Sequence, residues 1–298
     1  MAKKTLRRHS SGPNIRTKTE KIILGIFFVL FLLYALTLIL PMLWTAYNSL
    51  KGVRAYNEDP FVIPTFEEMR WDNYEKIFDQ SKISVSIPFA LFNTIWRTVG
   101  SVSLGMFFTA CTSYVVSKYC NDFRWLKGVY VFVVTIMIIP VLGSTAAAYD
   151  IAHNILQIAN NPLLYWIGWT SGIGFSFLMI YSAWQSLSWN YAEAAFIDGA
   201  SDFQVFFRIM IPMIRPVLAA LFIVNFIGGW SEYMETALYM DEYPTLGYLV
   251  YSLQQQAKSF GMPMYFAVII ISMIPTLAVF IAFQETIMKN VTTGGLKG

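Results

Sequence analysis

Residues 22–44 read IILGIFFVLFLLYALTLILPMLW, a stretch without a single formal charge. A helix rises about 1.5 Å per residue, so about 20 such residues cross a hydrocarbon core about 30 Å thick. The run is too long for the apolar part of a cleaved signal peptide, and no small-residue cleavage site follows it. It closes on Pro41-Met42-Leu43-Trp44-Thr45, which reads as a membrane exit. The rest of the chain has the same character. Of its 298 residues, 56% are apolar, 17% aromatic and only 13% charged. The charged share is about half that of a soluble domain. One core in a chain of this size cannot hide so much apolar surface. The composition excludes disorder, a nucleic-acid-binding arm and a disulfide scaffold, and argues against an ordinary soluble enzyme. It predicts an all-α, polytopic membrane protein.

Five further runs fit the same criterion: residues 87–116, 129–148, 163–184, 216–239 and 265–283. The run 87–116 carries Arg97 near its start, and the run 216–239 carries Glu232 and Glu235 near its end. Six spans put both termini on one side. Placing the N-terminus inside gives the inner segments 14 of the 21 basic residues, which predicts both termini in the cytoplasm. Residues 1–20 form a basic cytoplasmic tail near anionic lipid heads, and 21–298 form the transmembrane domain. The net charge of +3 is too small to imply a nucleic-acid partner. Cys111 and Cys120 fit no metal or redox spacing and read as free thiols. The outer loop 51–84 holds seven acidic residues, Pro60 and Pro64, with a short helix expected at 71–78. A second outer segment, 240–263, is expected to hold a helix over 246–260.

The inner segment 188–215 is too long for a passive connector. It carries two helix starts, Asn190 with Glu193 and Ser201 with Gln204, each spaced as a capping box. Gly199 stands between them as a left-handed C-terminal glycine would. Pro212 and Pro216 close the second helix and open the next span. Phe203, Phe206 and Phe207 lie on its exposed side and need a cover. Physics leaves two readings open: folding back onto the spans or into the lipid interface, or docking into a groove of a soluble partner.

Glu193-Ala194-Ala195, three residues, Gly199, nine residues, then Ile209-Met210-Ile211-Pro212 resembles the E-A-A, three, G, nine, I-x-L-P signature of bacterial ABC importer permeases. Ile211 in place of Leu is a mild departure. Ile197-Asp198-Gly199-Ala200, Phe206 and the Pro212/Pro216 pair resemble the carbohydrate-uptake, MalG-like branch of these binding-protein-dependent inner membrane components. Pro41, Trp44 and Ser49-Leu50-Lys51 resemble the end of that branch's first span. Phe283-Gln284 and the ending Gly294-Gly295-Leu296-Lys297-Gly298 resemble its C-terminus. The resemblance implies a pore formed with a second, homologous permease in the bacterial inner membrane. It implies an ATPase dimer on the cytoplasmic face and an extracytoplasmic sugar-binding protein. It also implies that Glu193, Ala194, Ala195, Asp198, Gly199, Phe203, Phe206 and Pro212 couple to the ATPase.

The chain has no G-x-x-x-x-G-K-[ST] loop, so no cofactor is expected in it, and ATP and Mg belong to the partner ATPase. His9 and His153 are isolated and read as lone polar residues. Ionisable groups at membrane depth are costly and invite a functional reading. Asn93, Asn225, Trp230 and Glu232 are candidates for the sugar path. The competing reading is that Arg97 pairs with Glu232 or reaches the outer interface. Gly228-Gly229 allows a kink or a tight helix contact. Two other functions remain open at this point: a permease for a non-carbohydrate solute such as a peptide, polyamine or phosphate, and an ATPase-independent membrane carrier or enzyme.

Overall fold

The computed structural model describes residues 18–79, 85–139, 144–163, 166 and 174–293. The basic tail before residue 18, His9 and the glycine-rich ending lie outside them. The described chain is helical. Helix α1 (Lys18–Ser49) is apolar all round, and its side chains are exposed along residues 22–43, as a helix facing lipid requires. Pro41 sits inside it rather than ending it. The outer loop follows, with α2 (Val53–Glu58), a 3-10 turn at Phe66–Glu68 and α3 (Asp72–Lys76) within the expected 71–78. Thr65 and Glu68 cap the 3-10 turn reciprocally, and those hydrogen bonds hold the Glu68 carboxyl below the usual carboxylate range. Asn73 ties α3 to the end of α1 by donating to the Ser49 and Lys51 carbonyls at 2.8 Å.

Helix α4 (Ile87–Lys118) is the central strut. After it come α5 (Trp125–Ile138) and α6 (Ser144–Asp150), the latter continuing as a π turn at Ile151–Ile155. Helix α7 (Phe175–Ser186) leads to the short α8 (Asn190–Ile197) and α9 (Asp202–Val205). A π turn at Phe206–Met210 then runs without interruption into α10 (Ile211–Trp230). The outer part closes with α11 (Met234–Tyr239) and α12 (Leu246–Phe260), and α13 (Met262–Thr293) follows.

Among the described residues, four helices are long and apolar enough to cross a membrane: Thr19–Ser49, Ile87–Lys118, Asp202–Trp230 and Met262–Gln284. The runs expected at 129–148 and 163–184 are helical over Trp125–Ile138, Ser144–Asp150 and Phe175–Ser186. Residues 140–143, 164–165 and 167–173 lie outside the described residues. The run at 216–239 needs correction. The helix begins earlier and ends at Trp230, so Glu232 and Glu235 follow it on a broken segment. Pro212 lies just past the π turn, and Pro216 lies inside the helix. Neither proline separates α9 from the span.

Two buried clusters organise the bundle. One lies at the Lys118 end of α4, where Tyr114, Trp184, Val205, Phe206 and Met210 pack together. The other lies at the opposite end, where Ile87, Trp230, Leu246, Leu249 and Val268 meet. Close helix approach does the work that the hydrophobic effect cannot do within lipid. A Cβ at Gly229 would stand 3.2 Å from the Thr98 methyl, so this glycine sets the α4–α10 distance.

Candidate functional site

The elbow between α7 and α10 is built from local sequence rules. At the end of α8, Ala200 N–H donates to the Ala195 carbonyl at 2.9 Å and Gly199 N–H to the Phe196 carbonyl at 3.0 Å. This pair of bonds is a Schellman motif, and it requires the left-handed φ of +83° found at Gly199. Ser201 and Gln204 then form the expected capping box, with the Ser201 N–H donating to Gln204 Oε1 at 3.0 Å. The other expected box is absent. Asn190 is already helical, Trp189 is the capping position, and the Ser188 hydroxyl accepts from the Asn190 N–H at 3.3 Å.

The elbow is clamped to α4 rather than hinged freely. The Lys118 ammonium donates to the Leu187 carbonyl at 2.7 Å, and the Trp184 indole N–H donates to Ser113 Oγ at 3.2 Å. The Phe206 ring lies 4.9 Å from the Tyr114 ring, with Phe206 only 8% exposed. Phe206 is therefore an anchor, not part of the exposed side expected for it. Ala192 and Ala195 are buried beneath α8, whereas Glu193, Ala194, Asp198 and Gly199 face out. The outward face has two large apolar tips, Ile197 at 86% and Phe203 at 77% exposed. Ile197 was not among the candidate coupling residues. Its place one residue before the Schellman turn, on the face opposite Ala192 and Ala195, was the available signal.

A second feature lies between α4, α7 and α10, a cavity of about 420 Å³. Asn225 and Glu232 both line it, with Arg97, Ser101, Thr109, Ser176 and Glu235. Asn225 Nδ2 donates to Ser176 Oγ at 3.0 Å. Arg97 is 3% exposed, donates to the Gly229 carbonyl at 2.8 Å and forms an ion pair with Glu235, not with Glu232. The Glu232 carboxylate instead accepts from the Met234 and Glu235 N–H groups at 2.7 and 3.1 Å, capping the start of α11. Asn93 and Trp230 stand apart from this cavity. Asn93 donates to the Pro244 carbonyl at 3.0 Å, and Trp230 donates to the Ser272 carbonyl at 3.1 Å. The first ties the segment 240–263 to α4, and the second ties α10 to α13. His153 stacks on Tyr149 with ring centroids 4.0 Å apart.

Residues 86–292 match the profile of the binding-protein-dependent transport system inner membrane components. The chain belongs to that family. This transport component is therefore a subunit of a transport machine rather than an enzyme, and a multi-pass membrane protein. Among its relatives is the diacetylchitobiose uptake system permease protein NgcG of Streptomyces coelicolor, 28% identical over 89% of this chain and 86% of that protein. The maltodextrin transport system permease protein MalD of Streptococcus pneumoniae is 22% identical over 89% of this chain and 92% of that protein. The crystal structure of a bacterial ABC transporter involved in the import of alginate shares the fold. It aligns at a TM-score of 0.74 and 20% identity, over 91% of this chain and 98% of that one.

Proposed function

We propose that this chain is one of two permease subunits of an ATP-driven importer for a sugar or oligosaccharide delivered by an extracytoplasmic binding protein. The relatives named for diacetylchitobiose and maltodextrin uptake support the substrate class. In this reading the chain crosses the inner membrane six times. The segments around Trp125–Ile138 and Phe175–Ser186 supply the two spans beyond the four long helices, and both termini are cytoplasmic. A second, homologous permease completes the pore. ATP and Mg are held by a separate ATPase dimer, and this chain holds no cofactor.

The observation that carries the mechanism is the elbow. It is rigid, because a Schellman turn and a capping box fix it and α4 clamps it, yet it displays Ile197 and Phe203 to water. Such a surface suits a groove on a partner. The ATPase seats on Glu193, Ala194, Asp198, Gly199 and Phe203, while Ala195, Phe206 and Pro212 join the elbow to α10. Closure of the ATPase on ATP then moves α9 and α10 as one body, because no break separates them. Asn225 and Glu232 line the half of the solute path that this chain contributes.

Phe203→Asp and Gly199→Val in the assembled transporter test this reading. We expect loss of ATPase co-purification and of ATP-driven sugar uptake in vesicles, with normal membrane insertion. Undiminished ATPase binding and uptake in both variants would overturn the coupling assignment.

A further inference from the structure

Between the end of α10, α12 and α13 lies a second cleft, of about 410 Å³, separate from the cavity that holds Asn225 and Glu232. Small-molecule sites typically occupy roughly 300–1,000 Å³. Its geometry follows from one glycine. A Cβ at Gly247 would stand 2.8 Å from the Glu232 carbonyl oxygen and 2.9 Å from that of Ser231, so only glycine lets α12 lie directly on the break after α10. That approach stacks Tyr251, one turn further on, against Tyr233, with centroids 4.6 Å apart and 17° between the ring planes. Trp230 lines the same wall, its indole fixed by the hydrogen bond to Ser272.

The remaining lining is mixed and uncharged, with Leu246, Val250, Met273 and Leu277 as its apolar part. Ser231, Gln254 and Thr276 line the cleft together with the aromatic platform, and no lining residue carries a formal charge. Helix α12 buries Leu246, Leu249 and Leu253 on one side and turns Gln254 to the other. The Ser231 hydroxyl bonds back to the Gly228 carbonyl at 3.3 Å, but the exposed Gln254 carboxamide would be unsatisfied beside a lipid tail, which favours a wet path. Flat aromatic faces with a rim of uncharged donors and acceptors match a pyranose ring, apolar on its C–H face and polar at its edge.

We propose that this cleft is a saccharide subsite of the chain itself, taking one neutral sugar ring against the outer face of the Tyr251–Tyr233 stack, with Gln254 and Ser231 bonded to its hydroxyls. It rests on the sugar-import reading and extends it. The subsite lies beside the outer end of α10, so a sugar passes it before reaching the cavity at Asn225 and Glu232. Because the lining offers no cation, charged sugars bind there no better than they would to any wet aromatic surface.

The test uses the assembled transporter in vesicles. Cys111 and Cys120 are replaced by alanine, and Ser231→Cys serves as a reporter for a water-soluble maleimide. The probes are the methyl glycosides of glucose, galactose and N-acetylglucosamine, with methyl glucuronide as the charged control. At least one neutral glycoside should slow alkylation, and the glucuronide should not. Tyr251→Ala should raise the half-protecting concentration about tenfold, equivalent to about 1.4 kcal/mol. Tyr251→Phe should leave it unchanged, which separates loss of the platform from loss of the fold, and Gln254→Leu should weaken protection with the platform intact. The proposal is overturned by lack of protection with every neutral glycoside, by equal protection with the glucuronide, or by unchanged protection in Tyr251→Ala. ATP-driven sugar uptake is measured in the same vesicles. Uptake without protection overturns the subsite alone, and absence of any sugar uptake overturns the import reading instead.

Discussion

At Gly199 the backbone holds φ at +83°, and a Cβ there would meet nothing within 4 Å. The cost of any side chain is therefore conformational rather than steric, about 1–2 kcal/mol for an L-residue in the left-handed region. Gly199→Ala should lower the thermal stability of the purified chain modestly and still fold, whereas Gly199→Val should also misplace the elbow. A thermal melt in detergent beside an ATPase pull-down checks both. The Arg97–Glu235 pair behaves differently, because both groups are largely removed from water. Removing one partner of a buried pair costs about 3–5 kcal/mol. Arg97→Met alone should be severe, and Arg97→Met with Glu235→Leu should recover much of the loss in the same melt. Persistent loss in the double variant would mean that the guanidinium serves the Gly229 carbonyl more than it serves Glu235. The sequence offered Glu232 as a partner for Arg97, beside the reading that Arg97 reaches the outer interface. The choice depends on α10 stopping at Trp230, which turns Glu232 back onto the α11 N–H groups. No spacing rule reports such a break in an otherwise apolar run.

Short helices followed local chemistry where the chemistry was local. The Ser201–Gln204 box and the glycine before it were legible because each bond joins residues within a few positions. Helix α12 occupies Leu246–Phe260, the expected range, because Thr245 caps its start and Gly261 its end. Ser201→Ala should cost about 1 kcal/mol, the usual worth of an N-cap, and should loosen α9 specifically. Amide exchange at Gln204 and Val205, faster in the variant and unchanged in α4, is the expected readout. The π turn at Phe206–Met210 was not legible. It arises because α9 must rotate to bury Val205, Phe206 and Met210 together beneath Tyr114 and Trp184, a tertiary demand that leaves no periodic trace. The same demand turned Phe206 inward while Phe203 stayed out.

Taken as one body, the bundle has two unlike ends. The elbow sits at the Lys118 end of α4, held through Leu187, while the outer loop and α12 gather at the other end through Asn93 and Thr94. Hydropathy alone marked the four long spans, because each is one continuous apolar helix, though it placed the third 14 residues late at its start and nine late at its end. The proposed sidedness rests on the placement of lysine and arginine, which acts during insertion and leaves no bond in the folded chain. The two free cysteines make that sidedness measurable. Cys120 follows α4 in the turn proposed to lie inside, and Phe66 is 79% exposed on the loop proposed to lie outside. A membrane-impermeant maleimide should label Cys120 in inverted vesicles and leave it untouched in intact spheroplasts. Phe66→Cys, in a chain with Cys111 and Cys120 replaced, should show the reverse. Labelling of Cys120 from outside would invert the bundle, set the elbow on the side where no ATP is present, and remove the physical basis for coupling it to a nucleotide-driven partner.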